Sequence, residues 1–332
     1  MSQDSILFSS RSVQNHPAVV ASRTQFMPEG NGVVIQLLEM PVLDPDTSNQ
    51  PLLLIEKENA TVDFYPLIKA IEFRKHCTFH VTQQALKIIV DDECFQQAVV
   101  IIDAKHFKEY HIHHEAEHGE VTFRILMQDF LEGLHVFGRD DQSPVNVLKE
   151  HDSSQVLFLR QKGNVFVKFE IKTQTLVPNL GFDIKDDEIQ CRLHVNLKSS
   201  IFHDVIKDLD KSSQTVLLAV TANSIEFSTS GELGNVKVCI PKNSDLIDDF
   251  NLVNVTEIAW KYKINLMQRM VPALHCCKRA SLRIDCRGNL QVQFIAEQSS
   301  GVQQNYIEFY TVPDDSTISS DEEISMDDAN MV

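Results

Sequence analysis

An apolar stripe with the spacing of an α-helix recurs four times along the chain. Its apolar residues stand at i, i+3, i+4 and i+7, which places them on one face of a helix. The stripes start at Phe64, Met127, Phe202 and Met267. The first and third starts are 138 residues apart, and the second and fourth are 140 residues apart. These two matched spacings predict that one architectural unit occurs twice.

Runs of β-branched and aromatic residues separate the stripes and predict short strands. Each half of the chain is read as a strand, a helix, four strands, a second helix and three strands. Turn-forming residues predict a bridge over Pro241–Leu252, and Pro272 predicts an end or a kink in the fourth helix. The predicted fold class is α+β, with two repeated domains that each pack two helices on antiparallel sheets.

Changes in composition divide the chain into five segments. The prediction is an N-terminal extension (1–50), a first domain (51–172), a connector (173–188), a second domain (189–313) and an acidic tail (314–332). The extension and the tail are expected to be mostly disordered. Val33–Met40 is the apolar exception in the extension, and a short strand or a partner-binding peptide is the alternative there. In the tail, Ser319 and Ser320 precede three acidic residues, so phosphorylation and a purely solubilising role are both open.

Composition narrows the class of protein. The formal net charge is −17, which opposes non-specific attraction of the whole molecule to nucleic acid but leaves room for a local basic surface. Seven cysteines form no CxxC pair, which indicates a reducing compartment. No run approaches the roughly 18 apolar residues of a membrane span. We therefore expect a soluble intracellular protein with no membrane partner.

Several stretches resemble one known family. Phe227–Asn235, with the sequence FSTSGELGN, resembles the signature of sliding clamps such as proliferating cell nuclear antigen. Other stretches resemble, in order and spacing, the Rad-one subunits of the DNA-damage checkpoint clamp, the nine-one-one complex. These are Lys69–Arg74, Ile88–Asp92, Phe107–Tyr110, Val121–Ile125, Phe130–Gly138, Ser281–Gly288 and Ile307–Tyr310. The resemblance covers about residues 52–314.

The resemblance implies a non-enzymatic subunit of a heterotrimeric ring. Two other clamp-like subunits complete such a ring, and a clamp loader related to replication factor C opens it around double-stranded DNA in the nucleus. The ring then recruits checkpoint and repair proteins, and no cofactor or metal is implied. Two alternatives remain: a homotrimeric replication clamp, which the turn at Gly231–Asn235 also resembles, and a 3′–5′ exodeoxyribonuclease.

A ring that holds DNA topologically needs only sparse cations on its inner helices, because phosphate contacts carry no sequence information. The predicted DNA-facing residues are Lys69, Arg74, Lys75, Lys198, Lys207, Lys211, Lys263, Arg269, Lys278 and Arg279. The alternative is that these cations are simply solvated. The second helix fits less well, because its polar face offers Gln128, Asp129, Glu132 and His135 and no lysine or arginine.

Subunits of such a ring are expected to join through sheet edges. By resemblance, the edge of the first domain is Val165–Lys172 and that of the second is Ser224–Ser228. The predicted interface residues are Val165, Val167, Phe169, Ile171, Ser224, Glu226, Phe227 and Ser228. The alternative is that both runs are interior strands. The connector beside them is expected to receive partner peptides.

Two motifs suggest enzymes. His114–His118 matches the zinc-protease pattern HExxH, with His111 and His113 beside it, but the match lies between two predicted strands and not on a helix. We therefore expect a solvated histidine-rich loop, and adventitious metal binding by the loop is the alternative. A metal-dependent nuclease needs several converging carboxylates, and the pairs Asp91–Asp92 and Asp186–Asp187 fall in separate turns.

Overall fold

The structure is a computed structural model that describes residues 51–92, 95–151, 153–178, 191–232, 234–297 and 304–314. The predicted extension (1–50), most of the predicted connector (179–188) and the tail beyond Asp314 lie outside the described residues.

Nine strands and two helices form the first repeat. In chain order they are β1 (Leu53–Lys57), α1 (Ala60–Ala70), β2 (His76–Val81), β3 (Ala85–Asp92), β4 (Gln96–Asp103), β5 (Glu109–Ile112), β6 (Val121–Leu126), α2 (Met127–His135), β7 (Val145–Lys149), β8 (Gln155–Lys162) and β9 (Val165–Lys172). Short 3-10 turns at Ala104–His106 and Glu117–Gly119 flank β5.

The second repeat follows the same plan. Its elements are β10 (Cys191–Lys198), α3 (Ser199–Asp208), β11 (Thr215–Thr221), β12 (Ser224–Gly231), β13 (Gly234–Pro241), β14 (Ile247–Leu252), β15 (Glu257–Lys263), α4 (Ile264–Gln268), α5 (Val271–Leu274), β16 (Arg279–Asp285), β17 (Leu290–Glu297) and β18 (Gln304–Thr311). Pro272 stands in the first turn of α5, where its missing N–H costs little, so the predicted interruption of the fourth helix is confirmed.

The strands form three antiparallel sheets. One has the order β5-β1-β7-β8-β9, and another has the order β13-β12-β11-β15. A nine-stranded sheet, β14-β10-β16-β17-β18-β4-β3-β2-β6, crosses from one repeat to the other where β18 pairs with β4. The α+β prediction with two repeats of two helical segments on antiparallel sheets is confirmed.

Between its two helical segments each repeat has five strands, so the predicted count of four is wrong. In the second repeat the missed strand is β14, which the sequence assigns to a turn-rich bridge. β14 pairs with β10 across a register shift at Asn196/Leu197. The shift breaks the alternation of apolar and polar residues, so Asp248 and Asp249 are both exposed and the strand pattern is hidden.

The helices lie in one layer. α1 contacts α2 and α5, and α5 contacts α3, so the layer runs across both repeats. The apolar stripes face the sheets: the four starting residues are each at most 2% exposed. Aromatic rings join the helices to the strands, as where Phe202 meets Phe227 and Phe294 with ring centroids 6.0 and 6.2 Å apart. The opposite face of each helix is left for solvent or a ligand.

One predicted sheet edge is wrong. β12, which contains Ser224–Ser228, is hydrogen-bonded to β11 on one side and to β13 on the other, and Phe227 is completely buried. A strand with both sides paired has no backbone groups left for a neighbouring subunit. The edges of this sheet are β13 and β15. The other predicted edge, β9, does lie at the end of its sheet.

None of the described helices is both long enough and apolar enough to cross a membrane.

Candidate nucleic-acid interface and subunit edges

The predicted DNA-facing cations are distributed along the helical layer. Eight of the ten are exposed, and Lys263 and Arg269 are half-buried. Four of the exposed side chains form no ion pair with another described residue: Lys75, Lys198, Lys207 and Lys211. Three of those four lie on or beside α3. The strongest candidate for a phosphate-contacting surface is therefore the face of α3.

Arg74 and Arg269 belong to an ion-pair cluster around Asp92. Both form ion pairs with Asp92 at the end of β3, and the Arg269 Nη1 lies 2.5 Å from its Oδ2. The guanidinium of Arg269 also lies 4.9 Å from the centre of the Phe73 ring. Because Asp92 and Phe73 belong to the first repeat and Arg269 to the second, the cluster joins the two repeats. Burial lowers the pKa of Arg269.

Three other predicted cations have partners. Lys69 bonds to Glu72, which raises the pKa of the lysine. Lys263 lies 4.1 Å from the centre of the Phe95 ring, and Arg279 lies 3.9 Å from Asp248. The ion pairs of Lys69 and Arg279 are exposed and therefore weak, so a phosphate can compete for these two cations.

The α2 helix presents polar and acidic side chains. Gln128 donates to Glu132 over 2.9 Å, and burial followed by the Glu132 charge raises the pKa of Asp129. This face carries no cation. The electrostatic surface of the helical layer is therefore uneven: it is more basic at α3 than at α2.

The repeated fold relates the sheet edges to one another. Strands β1 and β5 correspond in order to β10 and β14, and β8 and β9 to β17 and β18. By the same repeat, β4 corresponds to β13. Within the chain β18 pairs with β4, whereas their counterparts β9 and β13 each lie at an edge.

Exposure distinguishes β4, which is paired on both sides, from β13, which is paired on one side only. Ala98 and Val100 of β4 are completely buried, with β18 alongside. On β13, Val236 and Val238 lie opposite the buried Thr229 and Phe227 of β12 and so face the core side of the sheet. They are nevertheless only half-buried. On β9, Val165 is 52% exposed. Two sheet edges with apolar side chains thus lack a covering strand among the described residues.

The prediction missed β13 as an edge because it placed the edge of the second domain at Ser224–Ser228 by resemblance alone. Aligning the strands of the two repeats would have matched β13 to β4. That comparison requires all the strands to be counted, and β14 was not.

The HExxH stretch does not form the helix that a zinc protease needs. Residues Glu117–Gly119 form a 3-10 turn, and His118 has a φ of 55°, outside the helical region. His114 and His118 therefore do not lie one above the other on a helical face. The prediction of a loop between strands is confirmed.

The family profile described as "Repair protein Rad1/Rec1/Rad17" matches residues 53–296, which is more than half of the chain. The chain belongs to the Rad1 family. The predicted sliding-clamp fold related to proliferating cell nuclear antigen is thereby confirmed.

Curated relatives of this Rad1-family chain span most of its length. "Cell cycle checkpoint protein RAD1 homolog mrt-2" of Caenorhabditis elegans is 28% identical over 274 residues, which cover 82% of this chain and 99% of the worm protein. "Cell cycle checkpoint protein RAD1" of Homo sapiens is 27% identical over 285 residues, or 83% of this chain and 98% of the human protein. "DNA damage checkpoint control protein rad1" of Schizosaccharomyces pombe is 22% identical, over 77% of this chain and 84% of the yeast protein.

Proposed function

We propose that this Rad1-family chain is a non-enzymatic subunit of a heterotrimeric ring that encircles DNA and signals DNA damage in the nucleus. The names of its relatives describe checkpoint proteins. One observation carries the proposal. β18 pairs with β4 inside the chain, whereas their counterparts in the other repeat, β9 and β13, each lie at an open sheet edge. Ring formation supplies a partner strand to each edge.

The internal pairing gives the geometry of the joint. β18 and β4 are antiparallel, and Ile307 lies opposite Val100. By the repeat, β9 of this chain pairs antiparallel with the β13-like strand of one neighbour, and β13 pairs with the β9-like strand of the other. The half-buried Phe169 and Val238 then take the places of Ile307 and Val100. Backbone pairing with burial of these side chains is the usual physics of strand addition.

DNA passes across the helical layer in this proposal. The chain carries a net charge of −17, yet α3 presents three lysines without an ion pair among the described residues. Concentrating cations there favours phosphates inside the ring, while the acidic remainder repels DNA elsewhere. A clamp loader related to replication factor C, two clamp-like subunits, and checkpoint and repair proteins are the proposed partners.

The nuclease alternative finds little support in the described residues. Of the two acidic pairs, Asp186–Asp187 lies outside them, and Asp92 of the other is bound by two arginines. A carboxylate that closes an ion-pair cluster between the repeats is poorly placed to hold catalytic metal ions.

The proposal is tested by topological retention on DNA. The assembled ring should stay on a closed circular duplex in high salt after loading and leave when the circle is cut. Retention that is unaffected by cutting would mean ordinary binding and would overturn the ring proposal. Digestion of the DNA by the purified chain, lost on carboxylate substitution, would favour the nuclease.

Substitution of Lys198, Lys207 and Lys211 by alanine should weaken binding of the assembled ring to DNA and flatten its salt dependence. The logarithm of the binding constant falls as the logarithm of the salt concentration rises. Removing one lysine–phosphate interaction makes this slope less steep by about 1, so the triple variant should be less steep by up to about 3. Equilibrium binding to duplexes of two unrelated sequences at several salt concentrations measures it.

The control removes three exposed lysines that lie on strands and turns and not on the helices: Lys105, Lys108 and Lys162. The net charge changes equally in both triple variants. The salt-dependence slopes of the two variants should therefore differ only if the α3 lysines themselves contact DNA. Equal slopes would contradict the assignment of α3 as the DNA-facing surface.

A further inference from the structure

Two strands of the first repeat end side by side. β5 and β7 flank β1, and both are antiparallel to it, so they run in the same direction and finish at the same end of the sheet. At that end Leu53 pairs with Ile112 on one side and with Lys149 on the other. The segments that follow β5 and β7 therefore meet beside the start of β1, although they are distant in sequence.

Three metal-ligating side chains meet at this place. His113 and Glu115 follow β5, and His151 follows β7. One potential ligand atom from each lies within 4.8 Å of the other two. The His113 and His151 rings are 5.0 Å apart, and the Nδ1 of His151 lies 3.7 Å from an Oε of Glu115. Among the described residues, no other group of three or more histidine, cysteine, aspartate or glutamate side chains converges in this way.

We propose that His113, Glu115 and His151 form a Zn²⁺ site that ties the β5–β6 loop to the β7–β8 turn. Two imidazoles and one carboxylate are a ligand set that zinc accepts, with water in the fourth position. The half-buried histidines and the exposed glutamate leave that position open to solvent. Because the three ligand atoms lie within 4.8 Å of one another, small movements of these loop side chains would bring each to the roughly 2.0–2.2 Å from a zinc ion that coordination requires.

The backbone of the loop is already organised for this role. The N–H of His113 donates to Leu52 over 3.0 Å, and the N–H of Ala116 donates to the carbonyl of His113 over 3.0 Å. The side chain of Ala116 is buried. These contacts fix the turn that carries the first two ligands, so zinc has to order only side chains and the nearby turn.

The proposed site is distinct from the HExxH match. His118 is 84% exposed at its side chain, and neither it nor His114 belongs to the converging group. The match shares only Glu115 with the site, which takes its other ligands from His113 and from a turn more than thirty residues away. The proposed role is a structural clip at the end of the first sheet.

Zinc titration of the full chain, purified without a polyhistidine tag, tests the proposal. Calorimetry should show one saturable Zn²⁺ per chain. His151→Ala should weaken binding by at least about tenfold, because two ligands remain where three are needed for a tight site. Glu115→Gln should also weaken it. His118→Ala is the matched control, since it removes an exposed histidine of the same loop and should leave the affinity unchanged.

Thermal unfolding gives a second readout. Zinc should raise the midpoint of the wild-type chain and of His118→Ala, and a chelator should reverse the shift. At the same zinc concentration the His151→Ala variant should show a smaller shift, although its midpoint without zinc is unchanged, since His151 lies in a surface turn. No saturable binding, or equal weakening by His118→Ala and His151→Ala, would overturn the site and indicate non-specific binding by a histidine-rich loop.

Discussion

Replacing Arg160 with methionine should destabilise the chain by about 3–5 kcal/mol, because it removes the buried counter-charge of the Asp141 carboxylate and leaves only the exposed Lys162 beside it. The Arg160 side chain is completely buried and forms an ion pair with Asp141, whose side chain is 3% exposed. Arg160 also donates to Thr61 and Ser143, each over 3.0 Å. The cluster therefore joins β8, α1 and the segment after α2. Unfolding in guanidinium chloride, with the midpoint and slope both fitted, measures the loss.

The control for this substitution is Lys162→Met. Lys162 forms an ion pair with the other oxygen of Asp141 over 3.0 Å, but its side chain is 56% exposed. An exposed cation contributes little, so the control should cost at most about 1 kcal/mol. Adding Asp141→Leu to Arg160→Met should recover part of the lost stability, since it removes a carboxylate that has lost its buried counter-charge. Equal costs for the two single variants would contradict the assignment of burial as the cause.

The same cluster predicts a pH dependence. Burial alone would raise the pKa of Asp141, but hydrogen bonds from Ser143 and Lys162 and the charge of Arg160 outweigh it, and the pKa is lowered. A carboxylate whose pKa is lower in the folded state stabilises the protein above its unfolded pKa near 4, and this stability is lost as the pH falls through the folded value. The wild-type chain should therefore lose more stability than Arg160→Met between about pH 6 and pH 3.

Substituting aspartate for Val236 and Val238 should prevent the β13 edge from joining its neighbour. These half-buried valines face the core side of an edge strand, where the proposed neighbour covers them. Burying a charge there without a partner is costly, and a central interface residue contributes about 2 kcal/mol or more, so the dissociation constant should rise at least about 30-fold. Analytical ultracentrifugation of purified mixtures of subunits measures it.

The two edges can be tested separately. Asn235→Asp adds a charge to an exposed position of β13 and serves as the matched control, with little expected effect. Phe169→Asp should block only the β9 edge. Each single-edge variant should still bind one neighbour, whereas a variant altered at both edges should bind neither. Loss of both neighbours on altering β13 alone, with the fold intact, would contradict the proposed arrangement.

Local periodicity predicted the helices well. The stripes that begin at Phe64 and Phe202 are buried along their whole length, because an i, i+3, i+4, i+7 pattern depends only on neighbouring residues of the same helix. The prediction of a break at Pro272 rests on equally local chemistry. Strands that follow strict alternation were also found, since each needs only one buried face.

Features that depend on pairing could not be predicted in this way. β14 was missed because a bulge in its pairing with β10 places two exposed aspartates next to each other. β12 was assigned to an edge by resemblance alone, and which side of it β13 covers follows only from the pairing of the whole sheet. Contacts between residues far apart in sequence, such as the ion pairs of Arg74 and Arg269 with Asp92, could not be predicted either. The proximity of His151 to His113 follows only from the order of strands around β1.

Native mass spectrometry of the complex that forms around this chain is the sharpest test of the heterotrimeric ring. We predict an assembly with one copy of this chain and two different clamp-like subunits, and single-edge variants that retain one neighbour each. A stable assembly of three copies of this chain, with no other subunit, would contradict the heterotrimeric ring and support the homotrimeric clamp.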